Sequence, residues 1–338
     1  MINNDKAENG VNFERQILQW SKGKEKILNV ISVPYNSDQF FVSTIIYYTS
    51  INRKILYITD EDEENIDILH KIKKNSEFRG YTYLRKSQVN SSSLLKVSST
   101  LNSFNIKEKF DLIIYDGIRS IPSIGIKQLN NLLLSFIKNN GKILAYCVER
   151  IFKNERDILL PVRTNCFPLI EPRTILTRID INKDIPFVIY DYLNWSINLK
   201  RKIIIYVPSS GKMSNIYNYF VKYHLSLCGS IFYFKDEESS LKVISNFKKI
   251  KKGIIITNSS CEFFSDMDDT DIIVYFADDI RFDYKKLIYL AARAGRSEKN
   301  FKGEVIFLAN EETFSMIKAK EITRNFNKKA WDLGYLSF

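Results

Sequence analysis

Cysteine and histidine are scarce in this chain of 338 residues, and both are scattered. The four cysteines (147, 166, 228 and 261) and the two histidines, His70 and His224, show none of the paired spacings that bind structural zinc. Apolar runs are short, and none reaches the ~18 residues that a membrane-spanning helix requires. The N-terminal residues are polar and contain no signal-peptide core. We therefore expect a cytoplasmic protein without a metal site or a membrane span.

The composition predicts a folded protein with a polyanionic partner. The chain is 45% hydrophobic and 26% charged, which is typical of globular proteins, and its length suits two domains. Lysine and arginine exceed the acidic residues, so that the formal net charge is +11. Such an excess favours nucleic acid as a partner. A composition that is simply rich in lysine and asparagine would give the same charge without any ligand.

Apolar strand-like segments alternate with helical ones in two successive sets. The first set lies at residues 26–33, 54–59, 81–84, 110–116 and 141–147, and the second at 202–207, 231–234, 253–257, 271–276 and 304–308. Near-continuous apolar strands separated by helices predict α/β domains with parallel sheets covered on both faces. Segment 148–187 interrupts this order with four prolines. We therefore predict a polar lead-in (1–22), a first domain (23–147), a connection (148–187) and a second domain (188–338) that ends in a helix.

A segment near the C-terminus combines two arginines with glycine between two apolar strands. The spacing predicts a helix that carries Arg293 and Arg296 on one face, with Gly295 between them. Paired guanidinium groups suit a triphosphate or a phosphodiester, because each offers a planar fork of donors. An ordinary exposed basic helix would show the same two arginines.

This segment resembles the last conserved motif of superfamily 2 helicases, which usually reads Gln-x-x-Gly-Arg-x-Gly-Arg. Tyr289 and Ala292 stand for the glutamine and the first glycine, whereas Arg293, Gly295 and Arg296 match. Within the superfamily, the sequence looks most like competence DNA-uptake ATPases of the ComFA type and primosomal helicases of the PriA type. The resemblance implies two tandem RecA-like domains, and it makes both arginines remnants of a catalytic site.

The phosphate-binding loop that this resemblance implies is strongly altered. The family places glycines and a lysine after the first strand, because backbone N–H groups must approach the phosphates closely. Here the loop reads Pro34-Tyr-Asn-Ser-Asp-Gln39, without glycine or lysine. By position Ser37 replaces the lysine, and Asp38 replaces the hydroxyl that would hold Mg²⁺. The loop therefore identifies no cofactor with certainty. Whether it binds ATP with Mg²⁺ is left open by the sequence.

The acidic motif that the family uses with this loop is also incomplete. The strand that ends at Asp116 supplies the first acid of the motif, but Gly117 follows where a water-orienting carboxylate is usual. Asp116 is equally well placed to cap the following turn. In the second domain, Glu262 matches the acid of the family's Glu-Arg-Gly motif and is a further candidate nucleotide-site residue.

The candidate nucleic-acid residues lie in the second half of the chain. Thr257 matches the residue that begins the family segment containing the Glu-Arg-Gly motif. Lysines cluster on either side of Thr257 in the sequence. The lysines are Lys248, Lys249, Lys251, Lys252, Lys285 and Lys286. Phe247 and Phe282 lie among them and offer rings on which bases could stack.

The sequence leaves three functions open. The first is a helicase-like protein that binds DNA, expected to be single-stranded, and whose ATP hydrolysis is impaired or lost. The second is an active ATP-dependent DNA helicase or translocase in which a partner chain completes the nucleotide site. The third is a non-catalytic scaffold that docks a competence or replication protein through the acidic run Asp60–Glu64 and the C-terminal helix.

Overall fold

We analysed a computed structural model of the chain. It describes residues 2–85, 92–121, 124–222, 231–234, 241–259, 270–296 and 303–336, and side chains at 2–11, 222 and 241 are not described. The chain divides into two compact units. The first comprises Met1–Cys166 with Gly334–Phe338, and the second comprises Phe167–Leu333.

The first unit is a parallel sheet with helices. Its elements are α1 (Ile2–Lys22), β1 (Ile27–Ser32), α2 (Val42–Ser50), β2 (Ile55–Thr59), α3 (Asp67–Asn75), β3 (Tyr81–Tyr83), β4 (Leu95–Ser98), α4 (Thr100–Ser103), β5 (Phe110–Asp116), α5 (Ile126–Ser135), β6 (Ile137–Cys147) and β7 (Arg156–Leu160). The seven strands are ordered β3-β4-β2-β5-β6-β1-β7, and all neighbours are parallel.

The second unit has the same construction. Its elements are β8 (Arg173–Leu176), α6 (Phe187–Asn198), β9 (Lys202–Tyr206), α7 (Ser210–Lys222), β10 (Ile231–Phe234), α8 (Leu241–Lys249), β11 (Gly253–Thr257), β12 (Thr270–Tyr275), α9 (Tyr284–Ala291), β13 (Val305–Ala309) and α10 (Phe314–Asp332). The six strands are ordered β10-β11-β9-β12-β13-β8, again with parallel neighbours.

The predicted α/β architecture with parallel sheets is confirmed. Every residue of β2, β11, β12 and β13 is buried, as expected for strands that helices cover on both faces. In the second unit, α6 and α7 pack on one face of the sheet, and α8, α9 and α10 pack on the other. Since all strands of a sheet run the same way, their carboxyl ends form one edge and their amino ends the opposite edge.

The segment that we predicted as a connection contains two strands. Within 148–187, β7 extends the first sheet beside β1, and β8 extends the second beside β13. The division between the units falls between Cys166 and Phe167. Pro161, Pro168 and Pro172 therefore flank two edge strands, where proline breaks no central ladder, and Pro186 is the N-cap residue of α6.

Candidate functional site

Three carboxylates meet at the carboxyl edge of the first sheet. Asp38 follows β1, Glu61 follows β2, and Asp116 ends β5. One oxygen from each lies within 4.8 Å of the others, and all three side chains are buried. The structure thus brings two predicted residues, Asp38 and Asp116, together with Glu61, which we did not predict. Oxygen donors of this kind suit a divalent cation.

Two basic side chains already pair with this carboxylate group. Arg119 Nη2 lies 3.1 Å from Asp38 Oδ1, and Arg119 Nε lies 3.9 Å from Glu61 Oε1. Lys71, on α3, also pairs with Asp38, and both basic residues pair with Asp67. Asp38 is fully buried. Its environment is therefore an internal ion-pair network, in which the protein itself supplies the positive charge.

Asp116 is buried in a network in which carboxylates outnumber basic groups, and its pKa is raised. Four carboxylates, including that of Asp67, face the cations of Lys71 and Arg119. Burial, followed by the nearby Asp38, raises the pKa of Asp116 to about 6. Burial would lower the pKa of Arg119, but Asp38, Asp116 and the other carboxylates raise it above its ordinary value.

Asp116 also caps the turn that follows its strand. Its Oδ1 accepts a hydrogen bond from Ile118 N at 3.1 Å, and its Oδ2 accepts one from the Tyr57 hydroxyl at 2.6 Å. The predicted capping role is therefore confirmed. At the next position, a Cβ on Gly117 would lie 2.6 Å from the Tyr115 ring. Since the Tyr115 ring is buried and occupies this space, an acidic side chain at position 117 would collide with it.

Backbone N–H groups of the loop after β1 already donate hydrogen bonds to other groups of the protein. Tyr35 N donates to Ile118 O at 3.0 Å, Ser37 N to Asn36 Oδ1 at 2.9 Å, and Gln39 N to Ser37 Oγ at 3.1 Å. The carbonyl of Ser37 in turn accepts a hydrogen bond from the Tyr146 hydroxyl at 2.8 Å. Tyr35 has a φ of 59°, a left-handed conformation that favours glycine. A phosphate-binding loop needs a glycine at such a position so that the backbone can approach the phosphate closely. Here the position holds a buried tyrosine.

In the second unit, the two arginines follow the helix instead of lying on it. α9 ends at Ala291, so our prediction of a shared helix face is wrong. Gly295 adopts a φ of 64°, in the left-handed region where helices commonly terminate. Arg293 and Arg296 therefore lie in the turn that terminates α9.

Arg293 is buried against the end of β9. Its Nη1 donates to the Tyr206 hydroxyl at 2.8 Å, and its guanidinium lies 5.7 Å from the centre of that ring. Tyr206 is the strand neighbour of Thr257, so the structure brings Arg293 and Thr257 to the same edge of the sheet. Thr257 is buried, and its Oγ1 accepts a hydrogen bond from Ser259 N at 3.0 Å. Arg296 is half-buried, and Glu262 lies outside the described residues.

The predicted nucleic-acid residues separate into two groups on opposite edges of the second sheet. Lys285 and Lys286 begin α9, beyond the carboxyl end of β12, and therefore share an edge with Thr257. The other four lysines lie at the end of α8 and before β11, at the amino edge. β11 is five residues long, which places these edges about 13 Å apart. Phe247 and Phe282 are buried in the core, so our prediction that they stack on bases is wrong.

Comparisons with known proteins find a distant relative by sequence and a shared fold by structure. No family model matches the chain. The curated competence protein ComFA of Bacillus subtilis (strain 168) is 21% identical over 249 residues, which is 70% of this chain and 53% of that protein. The chain therefore spans about half of the length of this relative.

Solved structures of helicases share the fold. S. cerevisiae Dbp5 bound to RNA and ADP BeF3 superposes with a TM-score of 0.55, at 11% identity, over 92% of this chain and 88% of that one. The E. coli DEAH/RHA helicase HrpB gives a TM-score of 0.57, at 11% identity, over 91% of this chain and 43% of that one. The chain therefore shares the fold of these helicases, and its sequence is similar to that of ComFA. Its two units are tandem RecA-like α/β domains. Over the residues described, no helix has the length and apolar character to cross a membrane.

Proposed function

We propose that this ComFA-like protein binds single-stranded DNA and does not hydrolyse ATP. The observation that carries this proposal is the fully buried Asp38, which Lys71 and Arg119 hold at the position where the helicase family binds phosphate and Mg²⁺. Asp38 Oδ2 has no hydrogen-bond donor among the described residues. A phosphate beside this carboxylate would be repelled, because both groups are negative in a medium of low dielectric constant.

The loop geometry supports the same conclusion. A phosphate-binding loop must offer several free N–H groups, whereas those of Tyr35, Ser37 and Gln39 already have acceptors. A lysine normally adds charge stabilisation at this point, and removal of such a group commonly costs several kcal/mol. The residues present therefore do not fit ATP with Mg²⁺.

The carboxyl edge of the second unit supports nucleic-acid binding. Lys285 and Lys286 lie at the start of α9, where the helix dipole also favours an anion. Thr257 and Arg293 lie at the same edge, but both side chains are buried, so Lys285 and Lys286 carry this support. The net charge of +11 adds a long-range attraction for a phosphodiester. From the resemblance to ComFA, we also propose that the nucleic acid is DNA and that the protein acts in competence or DNA processing. A cytoplasmic location is part of the same proposal.

The test is fluorescence anisotropy of a labelled single-stranded DNA oligomer over a salt series, with and without Mg·ATP. We expect salt-sensitive binding that ATP does not change, and no steady-state ATP hydrolysis. Lys285→Ala with Lys286→Ala should reduce the slope of log K against log salt by about 1.4, since each phosphate contact contributes roughly 0.7. The matched control, Lys328→Ala with Lys329→Ala on α10, removes the same charge and should leave the slope nearly unchanged.

Two results would contradict the proposal. ATP hydrolysis that disappears in Arg296→Ala would show a working nucleotide site. Absence of DNA binding at low salt would instead favour the scaffold function.

A further inference from the structure

The amino edge of the second sheet carries a basic surface that is separate from the carboxyl edge. Lys202 begins β9 and lies opposite Gly253, the first residue of the neighbouring β11. The residues that precede these two strands therefore lie side by side, since adjacent strands are about 4.8 Å apart. We define the amino-edge surface by the following lysines: Lys200, Lys202, Lys248, Lys249, Lys251 and Lys252.

Lys202 fixes the two parts of this surface to each other. Its Nζ donates to Lys248 O at 2.8 Å and lies 6.0 Å from the centre of the buried Phe247 ring. The other five lysines of the surface are exposed. Asp271, the second residue of the neighbouring β12, is fully buried, and Arg201 binds its carboxylate at 2.7 Å. Ser196 also donates to Asp271. The charge of this carboxylate is therefore neutralised inside the protein.

A tryptophan extends the amino-edge surface. Trp195 lies in the last turn of α6, and its carbonyl accepts a hydrogen bond from Leu199 N at 3.1 Å, directly before Lys200. The indole is 50% exposed, although tryptophan is usually well buried. Behind it, the nearly buried Tyr192 ring lies 5.7 Å from it, centre to centre, at an angle of 39°. The indole thus has one supported side and one side open to solvent.

We propose that the amino-edge surface is a second binding site for single-stranded nucleic acid, with Trp195 as a stacking platform for a base. This inference rests on the proposed function and adds a site to it. Lysines that follow a backbone, together with an aromatic ring that accepts any base, are the combination that binds single strands without sequence preference. A double helix would offer its phosphates to the lysines but no unstacked base to the indole, so single strands are favoured.

Trp195 provides a direct spectroscopic test. Addition of an unlabelled thymidine oligomer to the full chain should quench tryptophan fluorescence. Trp195→Phe should abolish the quench while changing the affinity little, because phenylalanine still stacks. Trp331→Phe is the matched control, since Trp331 is 61% exposed on α10 and should leave the quench intact. Trp195→Ala should weaken binding roughly 5- to 150-fold.

The lysines are tested separately by salt dependence. Replacement of Lys248, Lys249, Lys251 and Lys252 by glutamine should lower the magnitude of the salt slope by about 3. Circular dichroism verifies that each variant is folded, and these exposed side chains leave the core unchanged.

The outcomes distinguish the inference from the proposed function. If the chain binds no oligomer at all, the proposed function fails and this site fails with it. If it binds with unchanged Trp195 fluorescence and an unchanged salt slope in the glutamine variant, the amino-edge site is overturned while the proposed function stands. Stronger Trp195-dependent binding to phosphatidylserine vesicles than to the oligomer would overturn the nucleic-acid assignment in favour of a membrane surface.

Discussion

At the scale of single residues, the most informative feature is a carboxylate that stays buried with too little positive charge around it. Asp116 is 1% exposed and lies near Asp38 and Glu61. Lys71 and Arg119 offset part of the negative charge of this group, while burial, followed by the nearby Asp38, raises the pKa of Asp116.

The raised pKa of Asp116 predicts how stability changes with pH. An acid whose pKa rises from 3.8 to about 6 on folding binds more protons when folded, so the free energy of unfolding falls as pH rises between these values. Asp116→Asn removes this dependence. Relative to wild type, the variant should gain stability as the pH increases from 4 to 7, by an amount on the order of 3 kcal/mol at most. Urea unfolding at several pH values measures the difference.

Asp111 provides a control of the opposite sign. Burial would raise its pKa, but hydrogen bonds from Lys138 and the backbone of Lys54 lower it below its ordinary value. Its charge therefore stabilises the fold above the unfolded pKa, and this contribution is lost as pH falls through the folded pKa. Asp111→Asn should be less stable than wild type near neutral pH and approach it in acid. The same direction for both variants would contradict this account of the network.

At the scale of elements, buried lysines fix strands and helices in ways that local sequence does not reveal. Lys142 on β6 is 8% exposed and donates to the carbonyls of Trp20, Gly23 and Glu25 at 3.0, 2.8 and 2.6 Å. Its ammonium also lies 5.0 Å from the centre of the Trp20 ring. These bonds satisfy one carbonyl in the last turn of α1 and two carbonyls beyond its end, where a cation also complements the helix dipole.

Replacement of Lys142 should release the end of α1. Lys142→Met keeps the apolar stem but leaves three carbonyls without this donor, so we expect a loss of about 1–3 kcal/mol. Hydrogen exchange should accelerate in α1 more than in β6. The control is Lys138→Met on the same strand, whose exposed ion pair with Asp111 should contribute at most about 1 kcal/mol. Equal losses in both variants would argue against the anchoring role.

The sequence predicts the long apolar strands well, but it misses β4, β7 and β8. β4 reads Leu-Lys-Val-Ser, and its Lys96 is buried only because Glu108 pairs with it, a contact that tertiary structure alone provides. β7 and β8 lie among prolines and charges, so we predicted a connection in their place. The candidate site shows the same limit. Asp38 and Asp116 can be predicted because they lie at or after strand ends. Arg119 lies 81 residues and Lys71 33 residues from Asp38, so only the folded chain shows that they pair with it.

At the scale of the whole molecule, the second unit presents two candidate nucleic-acid edges on one sheet. Lys285 and Lys286 lie at the carboxyl edge, and the amino-edge surface lies about 13 Å away across β11. Because both edges belong to one compact unit, a strand bound at one edge is held close to the other. Such an arrangement raises the effective concentration of the second contact without any new interaction.

The two edges together predict that affinity depends strongly on oligomer length. An oligomer of about 6 nucleotides can occupy one edge, whereas one of about 30 nucleotides can reach both, and the longer one should bind roughly 10- to 100-fold more tightly per site. The double alanine variant at Lys285 and Lys286 should lose this gain, and so should the glutamine variant of the amino-edge surface. Each should then bind the long oligomer about as weakly as the short one, whereas the variant at Lys328 and Lys329 should keep the gain. Loss of the gain in only one edge variant would mean that a single edge binds the strand, and an equal affinity for both lengths in wild type would exclude bridging altogether.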